Sequence, residues 1–259
     1  MKIRAQRLVM VWGLAGGFSL WAQAPKVYVA NNNSNDVSVI DTGTNTVVQA
    51  IKVGNQPLAV AFTPDGSYAY VTNASSRTVS RIVTSTGTVD ATIPVGKNPH
   101  GVAVKPLLGD YAYVGDLFSQ ALSKINVFTN VVTTIQLTSA NRLAFTPMGD
   151  YLYVTGGPRV TVLKMPDDAV VTILQVGGYL RGIRITPDGT RAYVANSNSD
   201  QVAVINTDSR SPAFNSLVTT VNVPKDPRDL ASRRMGLTFM CQVWRRTSFR
   251  RSAWPQIRW

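Results

Sequence analysis

Few residues in this chain could do chemistry, and those that could share a spacing. His100, Asn141 and Arg181 each stand five residues before Lys105, Thr146 or Thr186, which open a Pro-containing turn; Leu58 stands likewise before Thr63. Arg142 lies one place past Asn141, and Arg228 takes the same place if the chain is read one base over beyond Ala231. Guanidinium groups hold carboxylates and phosphates in a forked geometry. His100, Arg142, Arg181 and Arg228, gathered at one mouth, would form a ligand-binding site for a small anion such as a carboxylate, phosphate or uronate. The alternative is a set of separate, solvated loop residues.

The remaining inventory is thin. The chain has one His, one Cys (Cys241) and no Glu, so zinc, haem and copper sites built on several His or Cys ligands are excluded by count. No cofactor is implied. No Ser/His/Asp elbow, phosphate loop or paired-carboxylate motif appears, so no catalytic residue is assigned. Asp65 and Asp188 lie in Pro-Asp-Gly turns, and Asp36 and Asp200 follow Asn/Ser-rich turns, the ordinary place for Asp. None forms an acidic loop of calcium spacing, and Gly177-Gly178 reads as a turn.

The elements that must position these residues come from a repeat. AFTPDGSYAYVTN (61 to 73) aligns with AVKPLLGDYAYVGD (103 to 116), AFTPMGDYLYVTG (144 to 156) and RITPDGTRAYVAN (184 to 196). The anchors Thr63, Lys105, Thr146 and Thr186 follow at steps of 42, 41 and 40 residues. A period near 40 made of strands and turns predicts propeller blades. Each unit reads as four strands: LAVAFT (58 to 63), apolar and so buried on both faces; YAYVT (68 to 72); TVSRIV (78 to 83); and TVDATI (88 to 93). The repeats start within a unit, since KVYVAN (26 to 31), DVSVID (36 to 41) and TVVQAI (46 to 51) correspond to second, third and fourth strands. The expected fold is all-β, with about five blades of four antiparallel strands.

YVTN (70 to 73), YVAN (28 to 31 and 193 to 196), VSVIDTGTNTVVQAIKVG (37 to 54) and TPDG (63 to 66 and 186 to 189) resemble the YVTN-type β-propeller repeat family. The resemblance spans residues 26 to about 231. It implies a ring of usually seven blades, against which this chain is incomplete, and an exported or surface-layer-like setting. It also implies similarity in fold to lactonase-type propellers and to propeller domains of periplasmic redox enzymes.

Two segments lie outside the repeat. Lys2, Arg4 and Arg7 precede an apolar run from Leu8 to Trp21 and the small-residue pair of Ala22-Gln23-Ala24, the pattern of a signal peptide at 1–24 cleaved before Pro25. The run is short of the roughly 20 residues that span a bilayer. After a repeat region at 25–231, the segment 232–259 carries seven Arg, three Trp and no acid. One base over, its codons permit I-T-P-D-G and Y-x-Y-V; Met235/Gly236 then forces Gly, Met240/Cys241 forces Val, and Trp254/Pro255 forces Ala. A basic tail that binds nucleic acid or anionic lipid has no reason to encode blade residues in a second frame. This predicts a frameshifted, non-native or disordered tail.

The formal charge of +12 changes meaning accordingly. Setting aside Lys2, Arg4, Arg7 and the seven tail Arg leaves 16 Lys and Arg against 14 Asp, close to neutral, and removes the case for a nucleic-acid partner. The expectation is an exported, non-enzymatic β-propeller, periplasmic, secreted or on the cell surface, with no membrane span after signal cleavage. Its partners would be protein or cell-envelope polysaccharide, or a small anionic ligand. A lactonase-like hydrolase or an accessory propeller of periplasmic redox metabolism is the alternative, as is a fragment of a longer propeller gene.

Overall fold

The computed structural model describes residues 25–232 and the backbone of 239–243 and 256–257. The predicted signal peptide and the rest of the tail lie outside the described residues. Six antiparallel sheets follow one another along the chain. The first has three strands: β1 (Lys26–Asn31), β2 (Asp36–Asp41) and β3 (Thr46–Lys52). The second has β4 (Pro57–Phe62), β5 (Tyr68–Asn73), β6 (Thr78–Val83) and β7 (Thr88–Pro94). The third has β8 (Pro99–Val104), β9 (Tyr111–Asp116), β10 (Ala121–Asn126) and β11 (Val132–Gln136), and the fourth β12 (Leu143–Phe145), β13 (Tyr151–Gly156), β14 (Arg159–Lys164) and β15 (Ala169–Gln175). The fifth has β16 (Leu180–Ile185), β17 (Arg191–Asn196), β18 (Gln201–Asn206) and β19 (Ser216–Asn222), interrupted by a 3-10 turn at Ser197–Ser199. The sixth pairs β20 (Pro227–Ser232) with the backbone strands β21 (Phe239–Val243) and β22 (Gln256–Ile257). Four complete four-stranded blades with a three-stranded sheet at each end make an incomplete β-propeller.

The tyrosine-bearing strands organise the packing. Alternate residues of a strand face opposite sides, so Ala69 and Val71 of β5 pack back onto Val37, Val39 and Ile51 of the first sheet. Tyr70, on the other side, packs forward onto Ala112, Val114 and Ile125 of the third. The same division recurs at Tyr113, Tyr153 and Tyr193, so each of the four complete blades is sandwiched between two apolar interfaces. Polar links cross the same seams. Tyr113 Oη donates to Asp168 at 2.7 Å, Asp168 pairs with Lys124 at 2.5 Å, and Tyr153 Oη donates to Asn215 at 2.5 Å.

One expectation is corrected. The first strand of each unit is not the buried one: in β4 only Pro57 is fully buried and Phe62 is 41% exposed, whereas Ala69 to Asn73 of β5 are all buried. The first strands of successive sheets adjoin one another around the central axis, so one edge of each lies open, while the second strand has a neighbour on either side.

Candidate functional site at the propeller mouth

Each first strand begins, and each second strand ends, at one face, the mouth face; the Pro-Asp-Gly turns lie on the opposite, turn face. Pairing sets the register. Ala59 pairs with Thr72, Leu143 with Val154 and Ile183 with Val194, which puts His100, Asn141, Arg181 and Arg228 at one level and Arg142 at the level of Gly101, Gly182 and Asp229.

Gly101 is required by a close approach. A Cβ there would come within 2.7 Å of the Asn141 carbonyl oxygen and 3.0 Å of the Arg142 Cα, and the Gly101 amide donates to that carbonyl at 2.9 Å. The arrangement brings the Arg142 side chain across Gly101, beside His100. Thr72 Oγ1 donates to the His100 carbonyl at 3.1 Å, and Thr155 Oγ1 to the Arg181 carbonyl at 2.9 Å. A second-strand threonine therefore ties down the mouth residue of the next blade. Sequence reading missed these two threonines; the signal was the Thr of YVTN and YVTG.

His100, Arg142 and Arg181 lie within electrostatic range of one another. Burial, and then the charges of Arg142 and Arg181, pull the His100 imidazole down to about 4, so it is neutral at pH 7. Among the described residues its Nδ1 is buried without a hydrogen bond, as is the Oδ1 of the buried Asn141. Arg181 donates from Nε to Ser197 Oγ at 3.3 Å and lies 5.1 Å from the centroid of the Tyr179 ring. The Arg142 guanidinium is half-buried, and among the described residues it makes no hydrogen bond and no ion pair within 4.0 Å. Burial lowers its pKa, offset in part by the charge of Asp229.

Arg228 sits at the same level, but its Nε and Nη2 donate to Asp226 at 2.8 and 2.7 Å. Arg184, further along β16, lies 3.6 Å from Asp229. Of Arg142, Arg181, Arg184 and Arg228, the two without an acid within ion-pair distance among the described residues are therefore Arg142 and Arg181. Among the described residues no three His, Cys, Asp or Glu side chains come together as a metal-holding group.

Charge is divided between the two faces. The mouth face carries Lys52, Arg77, Lys97, Arg142, Arg159, Arg181, Lys225 and Arg228 against Asp36, Asp116, Asp200, Asp226 and Asp229. The turn face carries Lys26, Lys105, Lys164, Arg191 and Arg210 against Asp41, Asp65, Asp110, Asp150, Asp167, Asp168, Asp188 and Asp208. Counting Arg184 with its partner Asp229 on the mouth face, and Lys124 with its partner Asp168 and the Arg81–Asp90 pair on the turn face, the described residues give nine cations to five acids on one face and seven to nine on the other, a basic mouth and a mildly acidic base. Such a field raises the local concentration of anions at the mouth.

No family model matches the chain, and no curated protein matches it. Solved structures share its fold. A protein of unknown function from Desulfotomaculum acetoxidans is 22% identical with a TM-score of 0.74, over 83% of this chain and 71% of that one. A candidate 6-phosphogluconolactonase from Bacteroides uniformis is 15% identical with a TM-score of 0.70, over 83% and 73%. The hydrazine synthase of Kuenenia stuttgartiensis is 18% identical with a TM-score of 0.60, over 83% and 88%. At these identities the likeness establishes the β-propeller fold.

Proposed function

We propose that this protein is an exported, non-enzymatic β-propeller binding module of the YVTN type that takes the carboxylate groups of an anionic cell-envelope polysaccharide at its mouth. Export rests on the N-terminal sequence pattern, and the YVTN assignment rests on the repeat motifs. The observation that carries the ligand reading is Arg142: a half-buried guanidinium that has, among the described residues, no acid or acceptor within bonding distance, beside Arg181 and a neutral His100. Burying an unpaired cation is unfavourable, and a bound carboxylate supplies the missing partner. A neutral His100 adds a hydrogen bond without adding charge.

Calorimetric titration of the protein with oligogalacturonate tests the reading. Binding is expected to weaken about 10- to 100-fold in Arg142→Ala and in Arg181→Ala, the range for a charge-assisted hydrogen bond. Unchanged affinity in both variants overturns it. A hydrolytic reading is favoured by the fold likeness to the candidate 6-phosphogluconolactonase, with the neutral His100 imidazole as the candidate base. Turnover of a sugar lactone that is lost in His100→Gln would replace the binding module with an enzyme.

A further inference from the structure

Large apolar side chains exposed on turns are concentrated on one blade. Leu107 (64% exposed), Leu108 (75%), Phe128 (76%) and Val131 (62%) belong to the turn face of the third sheet, and Met148 (65%) to the neighbouring turn of the fourth. The third sheet also carries Phe118 (72% exposed), on its mouth face. In the second and fifth sheets the corresponding turn position is Asp65 or Asp188, which accepts hydrogen bonds from Thr63 or Thr186 and from the residue two places on. The third and fourth sheets give up that turn bond and expose Leu and Met instead. The two turns touch, since Gly149 packs on Pro106. Between the second and third sheets lies a groove of about 280 Å³ lined by Tyr68, Leu107, Leu108 and Phe128, with Asp65 and Arg81 on its second-sheet side. That volume is small for a drug-sized ligand but suits a single inserted side chain.

We infer that the protein associates head to tail with a second copy of itself, Phe118 of one copy entering the Leu107, Leu108 and Phe128 groove of the next. Charge complementarity selects this occupant, because the basic mouth face of one copy meets the acidic turn face of the other. An aromatic anchor seated against apolar side chains with charged groups around it is the usual layout of a specific contact. The two patches differ and lie on opposite faces, so the contact does not close on itself and successive copies extend the stack. The inference does not depend on the carbohydrate reading, and a polyanion on the mouth face competes with it.

Sedimentation velocity of the protein at rising concentration is expected to show self-association that weakens as salt is raised from about 20 mM to about 500 mM. Phe118→Ser removes the knob and Leu108→Asp spoils the groove; both sites are exposed, and an unchanged melting temperature verifies the fold of each variant. Each variant alone is expected to sediment as a monomer. Their equimolar mixture is expected to form dimers and nothing larger, because one supplies an intact groove and the other an intact Phe118. A monomeric wild type, association that both variants retain, or a mixture that stays monomeric each overturns the inference.

Discussion

Gly96, in the link between the second and third sheets, lies directly over Asp116 at the end of β9: a Cβ on Gly96 would sit 2.6 Å from the Asp116 carboxyl carbon. The contact recurs between Gly54 and Asn73 and between Gly178 and Asn196. In the fourth blade the sizes are exchanged, and Gly156 faces Ser139, whose Cβ a Gly156 Cβ would approach to 2.5 Å. Each seam thus holds one polar side chain over a bare backbone or the reverse, and the first-strand mouth residues hang from this seam.

Gly96→Ala is expected to destabilise the protein by about 1–3 kcal/mol, the range for overpacking a buried contact. The exchange seen in the fourth blade predicts a rescue: Gly96→Ser combined with Asp116→Gly should recover most of the loss in urea melts. A double variant no more stable than Gly96→Ala would show that the two positions are not coupled.

Asp116 and His100 are expected to oppose one another in the pH dependence of stability. Asp116 is fully buried and burial pushes its carboxyl up to about 6, while one oxygen accepts from Ser123 Oγ at 2.6 Å. Between about pH 4 and 6 the folded state holds a proton there that the unfolded state has lost, so stability falls as pH rises. His100, held down at about 4, does the reverse from about 4 to 6.5, where the unfolded state binds the extra proton and stability rises with pH. Wild-type stability should be nearly flat from pH 4 to 6. Asp116→Asn should unmask a rise, and His100→Gln a fall, each approaching 1.4 kcal/mol per pH unit. Parallel pH profiles for the three proteins would sink this account.

Arg142→Met is expected to stabilise the fold by about 1–2 kcal/mol, seen as a melting temperature several degrees higher, since it removes a half-buried cation without an ion pair and keeps the aliphatic stem. The same variant should lose oligogalacturonate binding. Destabilisation by this change would mark Arg142 as a structural residue.

Lys124→Met should cost about 3–5 kcal/mol, because it strands the Asp168 carboxylate that Tyr113 also contacts at the seam between the third and fourth sheets. Pairing it with Asp168→Asn should restore part of the loss. Equal stability of wild type and Lys124→Met by calorimetry would contradict this.

The repeat makes the strands legible in the sequence alone. The repeat located β5, β6 and β7 to within a residue or two of their observed bounds, and its units are fewer than the seven blades that the YVTN resemblance implies. Burial was harder to read. An apolar run such as LAVAFT reads the same whether its edge is covered by a neighbour or left open, and only the order of strands within a blade separates the two.

The sequence by itself determined the blade pattern, the turn chemistry, the scarcity of catalytic side chains and the level at which His100, Arg181 and Arg228 stand, because all of these follow from spacing along one chain. Tertiary structure alone decided which cations have partners. Arg228 has Asp226 two residues away and Arg184 is matched by Asp229 on the next blade, which leaves Arg142 and Arg181. It also decided the division of charge between faces, which a nearly neutral composition conceals. Electrostatic partnership depends on distance through space and on burial, and the blades bring together at the mouth residues some 40 positions apart in the sequence.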